Sequence, residues 1–155
     1  MKNQGFTLIE LVVVIVILGI LATTIAPKYI DFTTDAHNSN LQGVQAAMQG
    51  GAEIVHSKSL VRGNQGQAVA EAPTIIRIDG ALPIHFGYPV ATQAAWQRLL
   101  NLDENIYSYQ TLDATTIVIF LTGSEVPTTV TTPCTVSYQT PNAAGNLPIY
   151  TFTPC

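Results

Sequence analysis

The 155-residue chain carries six basic side chains against ten acidic ones, a formal net charge of -4, and charged residues make up only 10% of it. Neutralising a duplex phosphate backbone takes clustered Lys and Arg, so duplex nucleic-acid binding by a single copy is disfavoured. Behind an apolar N-terminal stretch about 125 residues remain, which is room for one small domain and not for two.

That stretch opens Gly5-Phe6-Thr7-Leu8-Ile9-Glu10 and runs to Ala26, where Pro27 and Lys28 end it. As a helix, its roughly 21 residues from Phe6 to Ala26 reach about 31 Å, enough for a bilayer core of about 30 Å. Glu10 is its one charged residue. An isolated carboxylate in hydrocarbon costs about 3 kcal/mol, so it calls for a partner, and no basic side chain lies within reach. Cleavage after Gly5 would create one, the new α-amino group of Phe6, one helical turn from Glu10. Only Met1 to Gly5 precede the apolar run and no A-x-A site follows it, so a cut is expected before the helix, leaving it on the mature chain.

The run Gly5-Phe6-Thr7-Leu8-Ile9-Glu10 with Leu11-Val12-Val13-Val14-Ile15 resembles the class III signal of type IV pilins and of the pseudopilins of type II secretion. The short leader and Phe6 look like the type IVa class. The resemblance implies cleavage by a prepilin peptidase between Gly5 and Phe6 and N-methylation of Phe6. It also implies pairing of Glu10 with the N-terminal amine of a neighbouring subunit during assembly.

Further along, Gly19, Thr23, Thr24 and Pro27 interrupt the Val- and Ile-rich run. The proline removes a hydrogen bond and crowds the preceding turn, so a kink or weak segment is expected between Gly19 and Pro27. An ordinary membrane-helix proline is the plain alternative; the resemblance implies a segment that unwinds when subunits pack in a fibre. From Lys28 the pattern turns amphipathic. Leu41, Val44, Met48, Ala52 and Val55 recur at three- and four-residue steps, one face of a helix expected to end near Ser57. Gly43, Gly50 and Gly51 weaken that helix and either permit close packing or are simply tolerated.

A loop is expected from Gly63 to Pro73 and a short strand from Thr74 to Ile78, after which Gly80, Pro83, Gly87 and Pro89 break regularity. Thr92 is a cap for a short helix to Leu100 that buries Trp96, Leu99 and Leu100. Strands are expected over Ile106 to Thr111, Thr115 to Leu121, Thr135 to Thr140 and Leu147 to Thr153. A hairpin of the last two would set Tyr138 beside Thr151 and Cys134 opposite Cys155. An exported domain would oxidise these two cysteines, closing a loop of about 22 residues at a gain of about 3 kcal/mol.

Other chemistry is not signalled. No glycine-rich phosphate loop, nucleophile elbow or H-E-x-x-H occurs, and His37, His56 and His85 are isolated in sequence. Asp103-Glu104 reads as a solvated patch rather than a Ca²⁺ site, because oxygen ligands are few. Thr128, Thr129, Thr131 and Thr132 suit either an edge strand or O-glycans. No catalytic residue, metal ligand or cofactor is expected, and a membrane-tethered enzyme is disfavoured.

The layout is therefore α+β: a long N-terminal helix, apolar then amphipathic, packed on an antiparallel sheet, with a disulfide-closed C-terminal segment. It is similar to the type IV pilins generally. Ala26-Pro27-Lys28, Asp35-Ala36, Leu41-Gln42-Gly43 and His85-Phe86-Gly87-Tyr88-Pro89 resemble the mannose-sensitive haemagglutinin branch of that family. Residues 1–5 read as leader, 6–27 as membrane and filament-core helix, and 28–155 as the head. The resemblance implies a major pilus subunit that is a single-pass inner-membrane precursor and then an extracellular homopolymer used for surface attachment. It further implies an assembly platform and motor ATPases as partners. A pseudopilin or minor pilin is the alternative, and exposed loops such as Gly63 to Pro73 or Pro141 to Asn146 are candidates for binding surface glycans.

Overall fold

Five apolar side chains spaced by three and four residues, Leu41, Val44, Met48, Ala52 and Val55, are all buried in a computed structural model that describes residues 6–68, 75–77 and 81–155. They belong to α1 (Leu8–Arg62), a helix of 55 residues. The chain forms two compact units, Met1–Ala36 and His37–Cys155, and this buried stripe lies in the second. Ser59 extends it by one more turn, so the helix outruns the expected end at Ser57.

What stops α1 is a glycine cap. Gly63 takes a left-handed φ of +69°. Its N–H bonds to the Leu60 carbonyl (3.1 Å) while that of Asn64 reaches back to Ser59 (3.2 Å). These are the paired bonds of a Schellman cap. The Ser59 hydroxyl also donates to Asn64 Oδ1 (2.6 Å), so both buried polar side chains are satisfied. The loop expected from Gly63 to Pro73 is seen as far as Ala68; its remainder, with Thr74, Ile78 and Gly80, lies outside the described residues.

Val55 packs with Leu82, Ile84 and Ala95, while Leu41, Val44, Met48 and Ala52 pack on a four-stranded antiparallel sheet of β4 (Tyr107–Thr111), β5 (Thr116–Leu121), β6 (Thr135–Gln139) and β7 (Ile149–Thr153), in that spatial order. Ile117, Ile119, Leu121, Val136 and Tyr138 supply its core side. Ahead of β4 in the chain comes α2 (Gln93–Leu99), capped by Thr92 in extended geometry, whose Oγ1 accepts from Ala95 N. Trp96 is fully buried, edge-on to Tyr138 at 4.6 Å, and Leu100 is buried too, whereas Leu99 is only partly covered.

Two features correct the expectations. The stretch from Gly80 to Pro89, expected to be irregular, holds β2 (Ala81–His85) and β3 (Tyr88–Pro89), which with β1 (Ile75–Arg77) make a second antiparallel sheet. Pro83 cannot donate, yet its carbonyl accepts from Val90 N (3.3 Å). The turn residues Phe86 and Gly87 both have positive φ, +48° and +84°, the sense that suits the twist of a two-residue hairpin. A side chain at position 87 would place Cβ 2.8 Å from His56 Nδ1, so glycine is required there for space as well as for conformation.

The second correction is a one-residue shift in the last hairpin. Tyr138 pairs with Tyr150, and it is Ser137 that faces Thr151. In a strand a shift by one residue exchanges the two faces. The observed register puts Tyr150 and Phe152 on the core cluster with Tyr138, whose ring lies 5.4 Å from that of Tyr150, and leaves Thr151 exposed. Cys134 then faces Pro154, donating its N–H to that carbonyl (3.2 Å), and adopts a φ of +58°. The disulfide still forms: Cys134 and Cys155 are bonded, with Cα atoms 4.3 Å apart.

Reduction of the disulfide in the full chain, or Cys155→Ser, is expected to lower stability by about 3 kcal/mol. The shift in denaturant midpoint, measured in detergent, checks this.

The core tyrosines set an alkaline limit. Burial pushes the Tyr138 phenol well up, with Tyr150 and Tyr88 adding to it, and Tyr150 is pushed up by burial and then by Glu53. Phenols raised above the unfolded value of about 10 stabilise the fold fully below that pH, and the contribution is lost as pH rises beyond it. The denaturation midpoint should hold to about pH 9.5 and fall above about pH 10. Tyr138→Phe should flatten that fall, at a cost near neutrality of about 1 kcal/mol for the lost bond. That bond runs from Tyr138 Oη to the Pro89 carbonyl (2.6 Å).

Candidate functional site

The functional residues expected from sequence gather at the start of α1. Residues 8–25 form a helix long and apolar enough to cross a membrane, and none of it is buried within the chain. Val and Ile are indifferent helix formers in water, but a segment in lipid must satisfy every backbone group internally, which helix alone does in a single span. Thr23 and Thr24 close their own hydroxyls in the same way. Thr23 Oγ1 donates to the Ile20 carbonyl (2.9 Å) and Thr24 Oγ1 to that of Leu21 (3.0 Å).

Glu10 has a partner inside the chain. Thr7 precedes the first helical residue, and both its N–H (2.8 Å) and its hydroxyl (2.7 Å) donate to Glu10 Oε2. The Glu10 N–H returns a bond to Thr7 Oγ1 (3.3 Å). This is a capping box, in which a threonine and a glutamate three residues on satisfy two of the donors that a helix start leaves open. The spacing Thr7-x-x-Glu10 is its signal in the sequence, a neutral partner where a cationic one is expected. Both bonds to the carboxylate fall on one oxygen.

Phe6 is 82% exposed and stands outside the helix. Gly5, the other half of the expected cleavage site, lies outside the described residues. Gly19 and Pro27, between which a kink or weak segment is expected, both fall within α1 (Leu8–Arg62). Internal bonding from Thr23 and Thr24 supports the helix there.

Elsewhere the sequence-level candidates are accounted for structurally. His56 stacks flat on Tyr88 (ring centroids 4.3 Å apart) and His85 lies against Phe86. Asp103 Oδ1 caps its own turn, accepting from Asn105 N and Nδ2. Among the described residues no cluster of His, Cys, Asp and Glu could hold a metal ion. Thr129, Thr131 and Thr132 bond to one another in an exposed turn and not in an edge strand. The hairpin loop Pro141 to Asn146 borders a groove of about 550 Å³ with Gln139, Thr140 and Leu147. A second, more apolar groove of about 500 Å³ shares Thr115 and Thr140 with it.

Replacing Thr7 removes the cap. Thr7→Ala is expected to weaken the helix start by about 1 kcal/mol and Thr7→Ser to retain most of it. Faster amide exchange at Leu8 to Glu10 in the alanine variant only, in micelles, is the readout.

A family model matches the same segment. Residues 1–26 match the family model of the prokaryotic N-terminal methylation motif. The chain is 45% identical over 49 residues to the type IV narrow pilus major component PilA5 of Thermus thermophilus. That match covers 32% of this chain and 42% of the relative, so the chain spans about two fifths of the length of the curated protein it matches. No solved structure matches the chain. A prokaryotic N-terminal methylation motif thus opens the chain, and the likeness to a type IV pilus component extends over about a third of it.

Proposed function

We propose that this chain is the precursor of a structural subunit of a type IV pilus, and specifically the major one. The observation that carries the reading is the helix over residues 8–25, apolar and uncovered by its own chain, headed by a capped acid inside a methylation motif. In this reading residues 1–5 are a leader removed by a prepilin peptidase between Gly5 and Phe6, after which Phe6 is N-methylated. Residues 6–27 anchor the precursor in the inner membrane and later line the filament core, and 28–155 are the head. The protein acts as a polymer subunit and not as an enzyme.

The mechanism follows from the solvents on either side of assembly. Lipid covers the helix of a stored subunit, and neighbouring helices replace lipid in the fibre, so extraction never exposes the apolar surface to water. Glu10 enters that core with Oε2 already bonded to Thr7. Its other oxygen is offered to the amine of Phe6 on a neighbouring subunit, and a misplaced subunit leaves a buried charge without its counter-charge. Pro27 and Gly19 are the sites at which the helix would give way on packing. An assembly platform and motor ATPases supply the work, and surface attachment is the use of the fibre. The short motifs around Pro27, Asp35, Gly43 and His85 support a place in the mannose-sensitive haemagglutinin branch. The neutral groove beside Pro141 to Asn146 is where glycan contact would be sought.

Intact mass of material sheared from cells tests the reading. A chain that begins at methylated Phe6 and is two hydrogens light for its disulfide is expected in the sheared fraction. A processed chain confined to the membrane would point instead to a pseudopilin, and an uncut chain would overturn the proposal. Glu10→Ala and Glu10→Gln are expected to be processed normally yet to yield few fibres; normal fibres from both would refute the pairing mechanism.

A further inference from the structure

Cys155 lies beyond the end of β7 at Thr153, so no ladder hydrogen bond of that strand fixes its backbone. It is held from another direction. The Asn38 side chain, on α1, accepts the Cys155 N–H through Oδ1 at 2.8 Å, across 117 positions of sequence. On the other side the Cys134 N–H donates to the Pro154 carbonyl (3.2 Å). The two cysteines are therefore clasped by a hydrogen bond from each flank.

We propose that Asn38 is a positioning residue for closure of the Cys134–Cys155 disulfide. With its backbone tied to α1, Cys155 is restricted to the neighbourhood of Cys134 instead of sweeping the volume open to an untied tail. Closure removes two protons and two electrons from the two thiols as the S–S bond forms. An external disulfide such as oxidised glutathione accepts them, through a mixed disulfide, and is cleaved to two thiols. Asn38 presents its carbonyl to Cys155 only when α1 is helical there and seated on the sheet. Oxidation of the pair therefore responds to docking of the helix as well as to the β6–β7 hairpin, and a head whose helix is unseated closes less readily.

The test uses the full chain in detergent micelles equilibrated with mixtures of reduced and oxidised glutathione, the oxidised fraction being read by thiol alkylation and gel shift. Asn38→Ala is expected to lower the equilibrium constant for closure about threefold, the scale of one exposed neutral hydrogen bond. Asn38→Asp keeps an acceptor and should stay close to the parent. Alanine is a better helix former than asparagine, so a weakened α1 cannot account for a loss in the alanine variant. In the oxidised chain, the Cys155 amide should also exchange faster in Asn38→Ala than in the parent. An unchanged constant for Asn38→Ala, or an Asn38→Asp constant reduced as far as that of Asn38→Ala, would overturn the proposal.

Discussion

An apolar helix must be covered by something other than water, and α1 meets that demand in two different ways. From Leu41 to Ser59 the chain supplies its own cover, a sheet whose inward side chains close over one stripe. Over residues 8–25 it supplies none, and side chains on every face of the helix stay exposed. Burying a Leu or Ile side chain is worth about 2 kcal/mol relative to leaving it in water. Repeated along this segment, that driving force calls for cover from outside the chain, such as lipid or other apolar helices would supply. The N-terminal segment is in this sense unfinished structure, and a polymer is one way of finishing it.

The capping box changes how the acid at its head is understood. Taken alone, Glu10 is a charge in an apolar run whose cost has to be met by a cation. In the folded chain it already accepts two bonds from Thr7, which fixes the start of the helix at Leu8 and leaves Phe6 outside it. The same interaction holds the Glu10 carboxylate against the first turn of the helix. Helix initiation rests on this pair of side chains, three residues apart, and under the proposed function assembly would draw on it too.

In the head the core is made largely of aromatic rings and β-branched residues, and among the described residues the buried His56 Nδ1, Gln65 Oε1, Trp96 Nε1 and Tyr150 Oη make no hydrogen bond. Trp96, Tyr138 and Tyr150 form a run of ring contacts between α2 and the last hairpin, and Tyr138 reaches across to the Pro89 carbonyl. This links the smaller sheet to the main one, and Tyr88 of β3 lies in the same core cluster. The disulfide and the Asn38 contact do the same for the end of the sequence, tying it to β6 on one side and to α1 on the other. With so few charges available, these neutral bonds and the covalent one carry the specificity of the head.

Much of this is written in local pattern. The apolar run with its lone acid, the stripe from Leu41 to Val55, the Thr92 cap and the four main strands follow from periodicity and from capping chemistry, which act within a few residues and so can be read along the chain. Even the box of Thr7 and Glu10 is a spacing of three. What tertiary structure alone decided is whatever depends on two distant segments competing for the same space. The register of the last hairpin is set by Tyr138 and Tyr150 both seeking the core, and β2 and β3 form despite Pro83 and Pro89 because Gly87 lets their turn lie against His56. The contact from Asn38 to Cys155 spans nearly the whole head. A sequence lists these residues without their distances, and packing, which acts through distance, makes the choice among registers that local propensity leaves equal.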